Sequence, residues 1–283
     1  MQQIQFISAL GDRVVASHSS QGVFLQSIGG LTEADIEPIA TSGFGQHGQS
    51  YVRSIMGARE IPIELYVHAQ TAAELYALRR QLSRIFSPLA GIGTLIYANN
   101  SLTVSIPAYV SSPLEERESE GTLRLYKLEL TAPNPLWRDL DERVAYLSDI
   151  SGGLRFPMRL PAKYGTTGAV ANITIDGDYP SPVRIEIRGG TVNPIITNQS
   201  SGELISVPIT VSTGSMLTIR TGYGDKAVQL TDAAGVLTDA FDQIDPASTF
   251  FMLKPGRNRL IFTSDDVTTA DVAVYWRSWY TGV

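Results

Sequence analysis

The 283-residue chain contains no cysteine and only three histidines. The lack of cysteine excludes disulfide bonds, thiolate metal sites and cysteine nucleophiles. His18, His47 and His68 show none of the spacings that form a zinc site, and the sequence has no Walker A loop and no G-x-S-x-G nucleophile elbow. We therefore expect no metal, no nucleotide cofactor and no enzymatic activity.

A strongly basic region is also missing. Residues 1–139 carry 10 basic and 13 acidic side chains, residues 140–283 carry 12 and 15, and the formal net charge is −6. Sequence-specific nucleic-acid binding is not expected, because it needs a basic surface. No apolar run approaches the ~20 residues of a membrane helix, and the N-terminus lacks the basic start of a signal peptide. We expect a soluble chain that is not inserted in a membrane.

The first half combines strands with one helix. Apolar residues alternate along Arg59–His68, which predicts a strand with Ile61 and Ile63 on one face. Thr71-Ala72-Ala73-Glu74 has the pattern of a capping box, and apolar residues follow it at spacings of three and four. These features predict one helix over residues 71–86, ended by Pro88.

The second half has the pattern of a β-sandwich. Glycine-containing turns recur about every ten residues without a helical pattern. Hairpins are predicted at Ser201-Gly202 and at Pro255-Gly256. A passage rich in glycine and proline precedes this half. We therefore predict a mainly β protein with a first domain over residues 1–145, a linker over 146–168 and a second domain over 169–283.

Two short motifs imitate binding sites. Gly43–Gly48 matches G-x-G-x-x-G, but a strand rather than a helix is predicted after it, so we interpret it as a flexible loop. Asp176-Gly177-Asp178 resembles the start of a calcium loop, but Ile187 stands where the bidentate glutamate is needed. Neither motif predicts a ligand site.

The order and spacing of several turn and strand motifs resemble one protein family. In the first half these are the strand–helix–strand run from Arg59 to Tyr97. In the second half they are Asp176–Pro182, Asn193-Pro194, Ser201-Gly202-Glu203, Ser248–Phe251 and Pro255–Asn258. With these motifs the chain resembles the distal tail proteins of long-tailed bacteriophages, prophages and related tail-like particles.

This resemblance implies a fold and a role. The fold would be an N-terminal split-barrel-like β domain with one helix, followed by a galectin-like β-sandwich. Six copies would form a ring that docks on the tail tube protein and on the tail-tip hub protein, while the sandwich anchors receptor-binding or peripheral tip proteins. The protein would be assembled in the host bacterial cytoplasm and end at the virion tail tip. The implied role is structural, so no catalytic residues follow from it.

Candidate ring contacts can be taken from the residues themselves. If Arg59–His68 is an edge strand, Ile61 and Ile63 lie on a strand that could pair with a neighbouring subunit. Arg79, Arg80 and Arg84 lie on or beside the polar face of the predicted helix, where they are either solvated or part of a docking face.

Two other functional classes stay open. A two-domain glycan-binding protein is one, because aromatic residues in Ala270–Tyr280 could form either a sugar-stacking platform or an ordinary core and rim. A hydrolase is the other, because a pair of carboxylates converges only in the fold.

Overall fold

A computed structural model describes residues 2–18, 22–32, 34–149, 169–266 and 270–283. The chain forms two compact units: residues 1–140 together with 280–283, and residues 141–279. The first unit therefore ends five residues before the expected position 145, because a strand of the second unit already begins at Arg143. Residues 150–168, most of the expected linker, lie outside the described residues.

The first unit is built from ten strands and one α-helix among its described residues, together with a short 3₁₀ turn, Pro88–Ala90. The elements are β1 (Gln3–Ile7), β2 (Arg13–Ser17), β3 (Val23–Ile28), β4 (Ile36–Thr41), β5 (Ser50–Met56), β6 (Arg59–His68), α1 (Ala72–Ile85), β7 (Gly93–Ala98), β8 (Thr103–Glu120), β9 (Leu123–Ala132) and β10 (Trp137–Asp139).

Seven of these strands close into a barrel. Their order is β8-β7-β1-β2-β3-β6-β9, and β9 pairs back to β8 from Tyr109 onward, while β10 pairs with β8 at Val104 and Ser105. The pairs are antiparallel except β2 with β3. Alternation puts apolar side chains inside, so that Leu65, Ile106 and Leu128 are fully buried in one core. The predicted β domain with one helix is confirmed.

Helix α1 begins and ends where the sequence predicts. Thr71 is the N-cap: its hydroxyl accepts a hydrogen bond from the Glu74 amide (3.3 Å), and the Glu74 carboxylate accepts one from the Thr71 amide (3.3 Å). This reciprocal pair satisfies two of the helix's free donors. Leu82 and Ile85 bury the inner face of the helix.

The second unit contains twelve complete strands and a short 3₁₀ turn, Phe241–Gln243. The strands are β11 (Arg143–Asp149), β12 (Ala169–Ile175), β13 (Val183–Arg188), β14 (Thr191–Val192), β15 (Ile195–Asn198), β16 (Glu203–Ser206), β17 (Thr210–Val211), β18 (Met216–Arg220), β19 (Ala227–Thr231), β20 (Leu237–Asp239), β21 (Gly256–Thr263) and β22 (Asp271–Trp276). The last strand of the chain, β23 (Trp279–Tyr280), begins in this unit and ends in the first.

These strands form the predicted sandwich. Strands β16, β15, β21 and β12 make one sheet, and β22, β13, β18, β19 and β20 make the other. Strand β11 joins them, because it pairs with β22 over Arg143–Leu147 and with β12 over Ser148–Asp149. Apolar side chains of both sheets share one core. Mainly β architecture, with a barrel and a sandwich, is therefore confirmed for the chain.

One of the two predicted hairpins forms. Strands β15 and β16 pair across the turn that contains Ser201-Gly202, where Gly202 has φ 77°. The hairpin predicted at Pro255-Gly256 is wrong. The apolar run before this turn does not pair with β21, because β12 and β15 already occupy both edges of that strand. Instead, Phe251 and Leu253 are buried in the core, and Leu253 forms a single bridge to Ser181.

Candidate functional site

The feature of the first unit that most clearly lacks a partner is the hairpin β4–β5, which we call the arm. Its strands pair from Ile36↔Met56 to Thr41↔Ser50 and form a sheet separate from the barrel. No residue of the segment 34–58 is buried. An isolated two-stranded hairpin is marginally stable in water, so an arm of this kind gains from a partner surface.

The arm exposes apolar side chains on both of its faces. A bulge in β5 shifts the register of the pair, so two apolar side chains of the strand that alternation alone would put on one face lie on different faces. These two are Tyr51 and Ile55, and Val52 is the extra residue of the bulge. Their exposed fractions are 68%, 43% and 55%, and Phe44 at the tip is fully exposed. Contiguous exposed apolar surface marks an interaction site more often than a solvated one.

The G-x-G-x-x-G motif forms the tip of the arm. Gly43–Gly48 lies in the turn between β4 and β5, where the Gln46 side chain accepts a hydrogen bond from the Gly43 amide (2.8 Å). No helix follows the motif, since β5 begins at Ser50. A pyrophosphate would therefore find no helix N-terminus here.

The helix α1 presents the three candidate arginines to solvent. Arg84 donates to Asp12 at 2.8 Å, and Arg79 lies 3.8 Å from Glu116. Arg80 is exposed and forms no ion pair within the described residues. Exposed pairs of this kind contribute ~0–1 kcal/mol to stability. The three arginines therefore contribute little to the stability of the fold, and Arg80 adds a positive charge, unpaired among the described residues, to the outer face of α1.

The structure corrects the expected edge strand. Strand β6 is not an edge, because it pairs with β3 on one side and with β9 along its whole length on the other. Ile61 and Ile63 are 0% exposed and belong to the barrel core. The alternation of apolar residues indicated that both side chains share one face of the strand, but it could not show that this face is the inside of a closed barrel. Neither residue is available to contact a neighbouring subunit.

The barrel also carries an acidic extension. Strand β8 continues to Glu120 and meets β9 at a two-residue turn, so the whole acidic segment 113–120 is part of a strand. Glu116 lies 3.2 Å from Arg124 and accepts a hydrogen bond from the buried Tyr126 hydroxyl (3.4 Å). Burial, and then Glu116, raise the pKa of Tyr126 above its usual value.

One sheet face of the sandwich holds a charged cluster. Glu186 is buried between Arg184 and Arg188 and is paired with both. The Arg184 guanidinium lies 3.9 Å from the centre of the Tyr275 ring. The hydrogen bond that Arg188 donates to the Glu186 carboxylate, together with the negative charge of Glu186, raises the pKa of Arg188. Arg184 also pairs with Glu142 at 2.6 Å, so two arginines and two glutamates balance each other and the cluster is an ordinary strand-surface network.

The described residues contain no group of three or more His, Cys, Asp or Glu side chains placed to hold a metal ion. Among the same residues, no helix has both the length and the apolar character needed to cross a membrane.

Comparison with known families gives one match in each half of the chain. A model described as the phage tail protein RIFT-related domain matches residues 18–130. A model described as the C-terminal domain of siphovirus-type tail components, SPP1 Dit, matches residues 176–280. No curated protein matches the chain.

Solved phage structures share the fold along the whole chain. The chain is similar to the Dit protein of phage SPP1, described as a paradigm of the hub adsorption apparatus in phages that infect Gram-positive bacteria; the TM-score is 0.70 at 12% identity, with 99% of each chain covered. It is also similar to a chain of the phage P2 baseplate in its activated conformation with Ca, with a TM-score of 0.54 at 12% identity and 100% and 99% coverage.

The barrel and the sandwich, each with its own family match, define a structural component of a bacteriophage tail. Within that class, the chain belongs to the distal tail protein family, whose members are part of the tail tip or baseplate.

Proposed function

We propose that this distal tail protein forms a closed ring of six copies, which joins the end of the tail tube to the tail-tip hub. The proposal depends on one observation: the barrel is closed, but an exposed arm extends the same unit as a separate two-stranded sheet. A ring needs a head-to-tail contact between two different patches of the same chain. A closed barrel has no free edge for such a contact, so the arm is the best element to supply it.

The arm contacts the neighbouring copy in this proposal. Its apolar side chains, such as Tyr51 and Val52, would leave solvent on assembly. The basic face of α1, with Arg79, Arg80 and Arg84, belongs to the same proposed assembly surface. Its partner charges are Asp35, just before the arm, and Glu37 within it, which outnumber Arg53 of the arm. Charge complementarity of this kind sets the register of a contact and its rate of formation.

The rest of the proposal follows the division into two units. The first unit forms the ring against the tube protein and the hub protein, and the sandwich anchors receptor-binding or peripheral tip proteins. Assembly takes place in the host bacterial cytoplasm. The chain has no enzymatic activity and no cofactor in this proposal, because the role is mechanical.

The full-length chain with Tyr51→Glu and Val52→Glu tests the ring. We expect the unmodified chain to give sixfold rings by negative-stain microscopy and a hexamer mass by light scattering, and the variant to give monomers. The matched control is Val144→Glu with Tyr146→Glu, because those side chains are similarly exposed, at 42% and 66%, on the second unit. If the unmodified chain stays monomeric even with its tube and hub proteins, the ring proposal is wrong.

A second variant separates the arm from the helix face. Arg80→Glu reverses a charge that no described ion pair uses, so folding should be unaffected. We expect the ring to dissociate at lower salt concentrations than the unmodified ring. An unchanged ring with this variant would remove α1 from the assembly surface and leave the arm in place.

A further inference from the structure

A cleft of ≈360 Å³ opens on the sandwich, and no residue of the charged cluster described above lines it. Four segments line it: the loop before β13, the start of β16, the loop between β18 and β19, and the segment before β21. Ligand sites are clefts of ~300–1,000 Å³ in which aromatic walls surround a few convergent polar groups. The cleft has the size and the composition of such a site.

Tyr223 forms the most exposed wall of the cleft. Its side chain is 81% exposed at the tip of the β18–β19 loop. The loop is nevertheless braced: the Asp225 amide donates to the Gly222 carbonyl at 3.1 Å, and Arg220 pairs with Asp225 at 3.4 Å. At the start of the loop, Thr221 is buried and its hydroxyl accepts a hydrogen bond from the Val183 amide at 2.9 Å. The aromatic ring is thus held outward by a fixed backbone.

Lys226 carries its charge between two aromatic rings. Its ammonium group lies 5.4 Å from the centre of the Tyr223 ring and 5.4 Å from that of Phe250. Phe250 is in turn fixed by stacking on Phe241 at 5.5 Å. An ammonium near ring faces is stabilised by the π-systems, yet it keeps hydrogen-bond donors for an anion. Lys226 forms no ion pair within the described residues, as the ion pairs of this loop involve Arg220 and Asp225.

The opposite wall adds a second free cation and one carboxylate. Lys254 and Glu203 line the cleft, and neither forms an ion pair in the described part of the chain. The backbone of Lys254 is fixed by Asn258, whose side chain accepts from the Lys254 amide at 3.1 Å and donates to its carbonyl at 2.7 Å. Two lysines and one glutamate leave the cleft with an excess positive charge, on a chain whose net charge is −6.

A bound peptide strand fits this place poorly. Strand β16 ends its sheet, but its free edge is already covered, since Thr249 donates to the Leu204 carbonyl and Asp245 to the Ser206 carbonyl, at 2.8 and 2.9 Å. Strand addition needs an open edge of backbone donors and acceptors. A compact ligand with a flat apolar face, hydroxyl groups and a negative charge matches the lining instead.

We propose that this cleft binds an anionic saccharide. Tyr223 stacks on the face of one sugar ring, Lys226 and Lys254 contact a carboxylate, sulfate or phosphate on that sugar, and Glu203 accepts hydrogen bonds from its hydroxyl groups. The site is separate from the aromatic strand 270–280 considered from the sequence. It also does not depend on ring formation, because every residue that lines it lies in the second unit.

An oligosaccharide array tests the proposal with the full-length chain. The array carries uronate-, sialate-, sulfate- and phosphate-bearing oligosaccharides, each beside its neutral counterpart. Comparison of the four classes shows which anionic group of the saccharide the cleft binds. We expect retention on at least one charged class, with little on the neutral counterpart. Weaker retention at high salt is also expected, since charge contributes to binding. Retention of no charged class, or equal retention of the neutral counterparts, would overturn the proposal.

Matched variants then locate the site. We expect Tyr223→Ala and Lys226→Gln each to weaken binding of the retained oligosaccharide by about fivefold or more, from the loss of a stacking or cation contact. The controls are Tyr76→Ala, where the side chain is 62% exposed on α1, and Lys127→Gln on β9. Full binding by the Tyr223→Ala, Lys226→Gln double variant would place the saccharide elsewhere. Ring mass is measured on each sample, so a failure of ring assembly is recognised separately.

Discussion

Arg59 offers a direct test of how the barrel unit is held together. This arginine is 0% exposed at the start of β6. Its guanidinium donates to the carbonyl of Pro135 at 2.6 Å, to that of Gly30 at 2.7 Å and to that of Thr281. Burial lowers the pKa of Arg59, but an arginine stays charged at neutral pH. One side chain thereby joins three segments that are distant in sequence.

The perturbation is Arg59→Met, which keeps an unbranched side chain as far as the position of Nε but removes all its donors. At least three buried carbonyl groups then lose a partner, and each unsatisfied buried group costs ~1–3 kcal/mol. Part of this cost is offset, because burial of the Arg59 cation itself carries a desolvation penalty that a methionine side chain does not. We expect a net loss of about 3–5 kcal/mol in the free energy of unfolding, as found when one partner of a buried charged network is removed.

The assay is urea unfolding followed by hydrogen exchange and mass spectrometry on barrel peptides, which separates this unit from the sandwich. Arg80→Met is the matched control, because this exposed arginine should change stability by no more than about 0.5 kcal/mol. Arg59→Lys should fall between the two, because it keeps the charge but reaches fewer carbonyls. If Arg59→Met lies within about 0.5 kcal/mol of the control, the reasoning from these hydrogen bonds is refuted.

Three further outcomes are expected. Because the pKa of Tyr126 is raised in the folded state, the free energy of unfolding of the barrel should fall as pH rises above 10.0, the ordinary pKa of tyrosine. The Tyr126→Phe variant should show a smaller fall in urea titrations at pH 8 to 11, and equal falls would contradict this. Gly30→Ala should destabilise the barrel by about 2 kcal/mol or more, since φ is +69° and the added carbon would lie 2.2 Å from the Glu60 carbonyl oxygen; circular dichroism during heating measures this. Calcium, zinc, NAD and ATP should each leave the melting temperature unchanged in a thermal-shift assay, whereas a ligand at a hundred times its dissociation constant adds about 2.7 kcal/mol.

Local chemistry explains what could be predicted from the sequence. The capping box at Thr71 and the following apolar stripe involve residues three and four apart, so α1 could be located almost to the residue. The alternation in β6 likewise predicted a strand with one buried face. The turn at Gly202 could be predicted because a positive φ is a property of that position alone.

Pairing between distant strands could not be predicted in the same way. Nothing in the sequence of β6 shows that β9 covers its second edge, so it was wrongly expected to be open. The apolar residues before Pro255 looked like a hairpin strand, yet they fill the core of the sandwich. The cleft was missed for the same reason: Tyr223 and Phe250 come to line one cleft only in the folded unit. An exposed aromatic between two glycines, at Gly222-Tyr223-Gly224, was the one local signal.

The path of the chain bears on how assembly should be studied. Residues 280–283 belong to the first unit although the second unit precedes them in sequence. Thr281 accepts from Arg59, and the Tyr280 hydroxyl donates to Asp139 at 2.9 Å. A fragment that stops at residue 145 would therefore lack part of its own barrel unit and leave a buried guanidinium short of an acceptor. Failure of such a fragment to form rings would report on its folding as much as on the ring contact, so the full-length variants are the decisive test of assembly.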